Sequence, residues 1–155
     1  MPVIKQKSLK PATTIPEAAG ILAYNGSGVD IAKNDVVKIS GGLQGSALKI
    51  EKASSQTNAA GGKVPLFVAK HAIPQGERGV ILPWLIAENV LTHGLTAGNA
   101  IYLNNDAAGK GGWSGAKIGG AVDRMVGVVL TVSSGALILD GAVWLSPGMF
   151  TYGTD

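Results

Sequence analysis

Ala47–Lys52, ALKIEK, alternates apolar and polar residues with the two-residue period of a strand that has one wet face. Working outward, the same grammar recurs. Upstream, Asp35–Ser40 (DVVKIS) ends at Gly41-Gly42, and Ile21–Tyr24 (ILAY) runs into Asn25-Gly26-Ser27-Gly28. Downstream of a polar loop, Ala53–Lys63, come Val64–Ala69 (VPLFVA), Gly79–Leu82 (GVIL) and Ala100–Leu103 (AIYL). A glycine-rich stretch, Asn104–Gly120, precedes Met125–Val132 (MVGVVLTV) and Ala136–Asp140 (ALILD), which Ser133-Ser134-Gly135 would join as a hairpin turn. Pro83–Leu91 (PWLIAENVL) fits either a two-turn helix, with proline at its start, or a strand. Short apolar runs separated by turn residues predict an all-β domain, a small β-barrel or sandwich with little helix. Within it, Ile31–Ile39 can be laid over Leu95–Leu103: an apolar residue, a turn closed by Asp35 or Asn99, then an alternating strand. The echo fits two equivalent corners of one barrel, or simply a common way to begin a strand.

Composition agrees with a folded β protein. Of 155 residues, 46% are hydrophobic and 15% charged, against roughly 25% charged in an average globular chain. A disordered chain would be biased the other way. Glycine occurs 23 times without a Gly-X-Y period, which excludes collagen. With no cysteine, disulfides, thiolate metal sites and cysteine nucleophiles are all excluded. The N-terminus, MPVIKQKSLKPATTIP, lacks the apolar core of a secretory signal, and no apolar run reaches the length of a membrane span, so a soluble product of the cytoplasm is expected. Three of the thirteen basic residues, Lys5, Lys7 and Lys10, fall in the first sixteen residues, where there is no acid; the other ten balance the ten acids. The net charge of +3 therefore belongs to an arm and not to a folded face. Pro2, Pro11 and Pro16, with Thr13, Thr14 and Ile15, predict that this arm is extended. The expected division is an arm over 1–16, a β-barrel domain over 17–141 and a tail or last strand over 142–155.

No constellation of residues announces chemistry. His71 and His93 share no motif and lack the close spacing and acidic partners of a metal site. No G-x-S-x-G elbow or phosphate loop is present, and Ser27, Ser46 and Ser114 sit in ordinary turn contexts. Gly111-Gly112-Trp113-Ser114-Gly115 resembles a flexible active-site loop but has no base nearby in sequence. The two arginines, Arg78 and Arg124, each adjoin an acid, Glu77 and Asp123, and Tyr24 and Tyr102 read as strand residues; neither pattern suits a single-strand nucleic-acid groove. No catalytic residue, metal ligand or cofactor is expected.

Taken together, VPLFVAKHAIPQGERGVILPW (64–84), LTAGNAIYLNND (95–106) and MVGVVLTVSSGALILDG (125–141) resemble the capsid decoration, or cement, proteins of tailed bacteriophages. The likeness spans about residues 20–141. It lies in a small-residue corner before a strand (Ala97–Leu103), a Gly/Trp loop (Gly111–Ser114), Val126–Leu130 and a closing Gly135–Leu139. Asn99 stands where aspartate is common, and the tail runs past the usual end. The resemblance implies a β-barrel or β-tulip-like domain, often a homotrimer. Such a protein binds the major capsid protein at junctions on the outer surface of the virion head, with no direct contact to nucleic acid or membrane. The arm would supply Lys5, Lys7 and Lys10 to acidic capsid surface, and Val3, Ile4 and Leu9 to shallow pockets. In the tail, Trp144, Leu145, Met149, Phe150 and Tyr152 are of the types enriched at interface cores, and are expected to pack on a neighbouring subunit or back on the chain's own core. A small β-barrel hydrolase or enzyme accessory module, using a serine with His71 or His93, and a nucleic-acid-binding barrel are the competing expectations.

Overall fold

The computed structural model describes residues 17–117 and 123–148. Among these residues ten strands form two curled sheets. The first holds β1 (Ile21–Asn25), β2 (Val36–Gln44), β3 (Ala47–Lys52), β4 (Leu66–Ala69) and β5 (Arg78–Leu82). These close into a barrel in the order β1-β3-β2-β4-β5, with β1 returning to β5. The second holds β6 (Leu85–Val90), β7 (Ala100–Leu103), β8 (Trp113–Ser114), β9 (Met125–Thr131) and β10 (Gly141–Leu145), in the order β6-β10-β9-β7-β8.

The two sheets have the same wiring. Matching β1 through β5 with β6 through β10 in turn, every antiparallel pair of the barrel recurs in the second sheet. The one pairing without a counterpart is the parallel β1–β3 contact that closes the barrel. The sequence echo marks this duplication. In each unit the corner closes with a three-residue hydrogen bond, Asp35 N to Ala32 O and Asn99 N to Thr96 O, both 3.1 Å. The residue before it is left-handed, Asn34 at φ 72° and Gly98 at φ 88°, a conformation that suits asparagine and glycine. Each corner then docks on its neighbour strand in the same way: Asn34 N to Ala69 O and Ala69 N to Asp35 O, against Gly98 N to Val129 O and Val129 N to Asn99 O. The corners are thus equivalent, but they belong to two units and not to one barrel.

Side chains sort into two cores. Ala23, Ile31, Val37, Ile50, Ala69, Ile73 and Ile81 fill the barrel. The opposite faces of the same strands, Val36, Leu66, Val68 and Leu82, pack against Leu85, Ala87, Ile101, Leu103, Val126, Val129, Val143 and Leu145 of the second sheet. Burial on both faces explains why β4 (LFVA) and the end of β5 (VIL) are continuous apolar runs. Each fully buried leucine or isoleucine contributes about 1.5–3 kcal/mol. ALKIEK behaves as its alternation predicts: Ile50 points into the barrel while Glu51, on the other face, pairs with Lys38 at 3.0 Å.

Two expectations are corrected. Ala136–Asp140 is not a strand, and Ser133-Ser134-Gly135 is not a two-strand hairpin turn; residues 132–140 form one long connection, and the last strand is β10. PWLIAENVL takes its strand alternative as β6. The only helical element among the described residues is a wide turn, Asn58–Gly62, inside the polar loop, capped by Thr57 Oγ1 accepting from Ala60 N at 2.9 Å. Arg124 ties this turn to the rest. It is almost fully buried, and its guanidinium donates to the carbonyl oxygens of Gly61, Gly62, Val64 and Pro147 at 3.0–3.5 Å.

Candidate functional site

Residues 132–140, the connection between β9 and β10, carry Leu137 and Leu139, the two most exposed large apolar side chains of the described residues, ahead of Leu43 in β2 and Val29. Leu137 is 89% exposed, Leu139 61% and Ile138 49%. Leu130 in β9, with Val132 and Leu91 just beyond their strands, is exposed as well. No residue from Met125 to Leu139 carries a charge, so the tip is neutral throughout.

The tip is held in shape from its base. Thr92 and Ser133 bond reciprocally: Thr92 N donates to Ser133 Oγ at 2.8 Å, and Ser133 N to Thr92 Oγ1 at 2.7 Å. The Thr92 hydroxyl donates onward to Thr131 O, and that of Ser133 to Val90 O. Asp140 then closes the loop, accepting from Ser134 N at 2.9 Å and from the Ser134 hydroxyl at 2.6 Å. Those bonds, the hydroxyl's first and the amide's second, hold the Asp140 carboxyl below the usual carboxylate range. A further turn bond, Ile138 N to Gly135 O at 3.2 Å, orders the apex. Aliphatic side chains are therefore displayed on a braced loop, which lowers the entropy lost when a partner covers them.

The duplicated fold shows what is unusual here. The equivalent connection of the first unit, between β4 and β5, turns inward: Ile73 is fully buried and exchanges two backbone hydrogen bonds with Ile31, sealing the barrel. In the second unit the apolar residues of that connection face outward. The sequence gives a signal for this that strand grammar hides: Leu137, Ile138 and Leu139 are consecutive, so no strand could bury all three on one face.

The residues singled out from sequence fall as follows. Val3, Ile4, Lys5, Lys7, Leu9, Lys10, Met149, Phe150 and Tyr152 lie outside the described residues. Trp144 and Leu145 lie in β10, between β6 and β9; Leu145 is fully buried in the chain's own core, so it offers no surface to a neighbour, while Trp144 is half-buried. His71 braces the β4–β5 connection, accepting from Val80 N at Nε2 while Nδ1 meets Ala72 O. His93 is exposed. Ser27 bonds Asn25 Oδ1, and Ser114 bonds Asn104 Oδ1. Neither arginine binds the acid beside it in sequence: Arg78 reaches Gln44 O, and Asp123 pairs with Lys117, whose ammonium lies over the Tyr102 ring. Among the described residues no three His, Asp or Glu side chains come together as a metal site would need. Among the described residues the carboxylate pushed up in pKa is Asp35, by burial; it accepts from Ala32 N and lies 3.5 Å from Lys52, as a brace for its corner.

No family model, curated protein or solved structure matches the chain.

Proposed function

We propose that this chain is a non-enzymatic structural protein that binds the outer surface of a tailed-phage head, at junctions between major capsid subunits, and stabilises the expanded shell. The observation that carries the reading is the braced, uncharged tip at Leu137–Leu139. Large apolar side chains held in water are characteristic of surfaces that dock on a partner. The sequence resemblance supplies the kind of partner, and the basic arm, with Lys5, Lys7 and Lys10, supplies a second contact suited to acidic capsid surface. A decoration protein acts by repetition: modest contacts per copy, multiplied over a symmetric shell, give a large total stabilisation. A trimer would suit a threefold junction.

The test is co-sedimentation with expanded, undecorated heads. The wild-type chain should bind saturably and raise the temperature at which heads disrupt. The double variant Leu137→Asp, Leu139→Asp should bind at least tenfold more weakly, because a charge desolvated in an apolar contact costs more than the ~1.4 kcal/mol that a factor of ten represents. Its thermal unfolding should match that of wild type, since neither side chain is buried. Equal binding by the variant would remove the tip from the interface, and no binding of wild type to any head would remove the capsid reading.

A further inference from the structure

A cleft of about 270 Å³ lies where the corner of the first unit meets β6 of the second. It gathers amides and charges that the fold itself does not use. Among the described residues, Asn34 (φ 72°) and Asn89 (φ 57°) are the non-glycine residues with left-handed backbone, and both line this cleft. The duplicated unit shows that neither is required. The position equivalent to Asn34 is Gly98, where the same corner forms without a side chain. Asn89 is the extra residue of a bulge: Val90 pairs with Gly141 and Glu88 with Ala142. The equivalent ladder, β1 with β5, runs in continuous register. Left-handed non-glycine residues and bulges concentrate where side chains are aimed at a ligand. Asn34 gives a more direct sign, since its Oδ1 is buried and has no hydrogen-bond partner among the described residues. A buried acceptor left without a donor is costly, and each one calls for an explanation.

The charges of the cleft divide in a way that defines the ligand. Lys70 and Glu17 line it and are committed to each other by a 2.8 Å ion pair. Lys33 and Glu88 line it as well, one of each sign, and neither has an ion-pair partner among the described residues. Leu82, Leu85 and Ile86 supply the apolar part of the lining. We propose that this cleft binds a small zwitterion with an aliphatic side chain, the chemistry of a free amino acid. The ligand's carboxylate takes the Lys33 ammonium, and its ammonium donates to Glu88 and to Asn34 Oδ1. Its side chain covers the leucines and Ile86. A simple anion would leave Glu88 and Asn34 Oδ1 without a donor, and a simple cation would leave Lys33 without an acceptor. The cleft is just smaller than the roughly 300–1,000 Å³ of pockets that hold drug-sized molecules, which suits a ligand of amino-acid size. Its place at the joint between two packed units is a common one for such sites. This proposal does not depend on the capsid reading and is tested on the free protein.

The probe is L-leucine, titrated into the isotope-labelled full chain and followed by NMR. It should bind saturably and shift the side-chain amide signals of Asn34 and Asn89. N-acetyl-L-leucine, which lacks the ammonium, and isopentylamine, which lacks the carboxylate, should each bind at least about tenfold more weakly, as loss of a charged hydrogen-bond partner entails. Two variants test the chain's side of the contact. Asn34→Gly keeps the corner, because glycine takes the left-handed φ as Gly98 does, and Glu88→Gln alters an exposed side chain. Both should melt as wild type does by circular dichroism and bind leucine at least about tenfold more weakly. Absence of saturable binding to wild type would overturn the proposal. Equal binding of either truncated probe, or unchanged affinity in either variant, would overturn it too.

Discussion

A single carboxylate, Asp140, sets the shape of the exposed tip. Its two bonds from Ser134 favour the ionised form, so its folded-state pKa lies below the ordinary value. The sign follows directly. The stabilisation is fully present above the unfolded pKa and is lost as pH falls through the depressed folded value. Acidification from neutral pH to below the usual carboxylate range should therefore loosen residues 133–140 while the barrel persists. The check is hydrogen exchange at the Ser134 amide: its protection should fall with acid, after correction for intrinsic rates, and should already be low at neutral pH in Asp140→Asn. At the same scale, glycine is placed by necessity at Gly127, where a Cβ would collide with the carbonyl oxygen of Trp144 on the facing strand.

At the scale of elements, what could be read from sequence depended on how regular each strand is. Ala47–Lys52 and Ala100–Leu103 have the bounds that their alternation indicates, because neighbours and turns agree with local pattern there. Residues 136–140 have strand composition without strand periodicity, and composition prevailed over spacing in the reading of the sequence. The last strand of the described residues, GAVWL, begins at Gly141, and the sequence division at residue 142 cuts it, leaving Ala142–Leu145 with the segment expected to be a tail or last strand. That placement has a consequence for truncation. β10 lies between β6 and β9 and contributes Val143 and Leu145 to the shared core. A chain ending at Asp140 should fail to fold cooperatively, seen as loss of the unfolding transition by circular dichroism. Removal of an outlying tail would instead have left a sharp transition.

At the scale of the molecule, the duplication was almost invisible in sequence. The two units share a corner, where hydrogen-bond geometry restricts residue choice, but their strands differ in length, and β8 has two residues where β3 has six. The candidate tip was hidden for a related reason: exposure is a property of the assembled fold, and Ile73 and Leu137 are both aliphatic residues in turn-rich connections. The units are nonetheless joined energetically. The larger core draws Val36, Leu66, Val68 and Leu82 from the barrel and the rest mainly from the second sheet, so neither unit can lose its half without exposing the other's. Scanning calorimetry should therefore show one transition, with calorimetric and van't Hoff enthalpies equal. Two resolved transitions would mean that the units fold separately.

The carbonyl cage around Arg124 bears on how this protein meets heat. Burying a cation is costly chiefly because water solvates it so well, and that solvation weakens as temperature rises. Apolar contacts gain little more over the same range. The joint between the wide turn at Asn58–Gly62, Val64 just before β4 and Pro147 just after β10 thus becomes relatively cheaper to maintain as the solution warms. A heat-tolerant fastening sits where the barrel and the second sheet are drawn together.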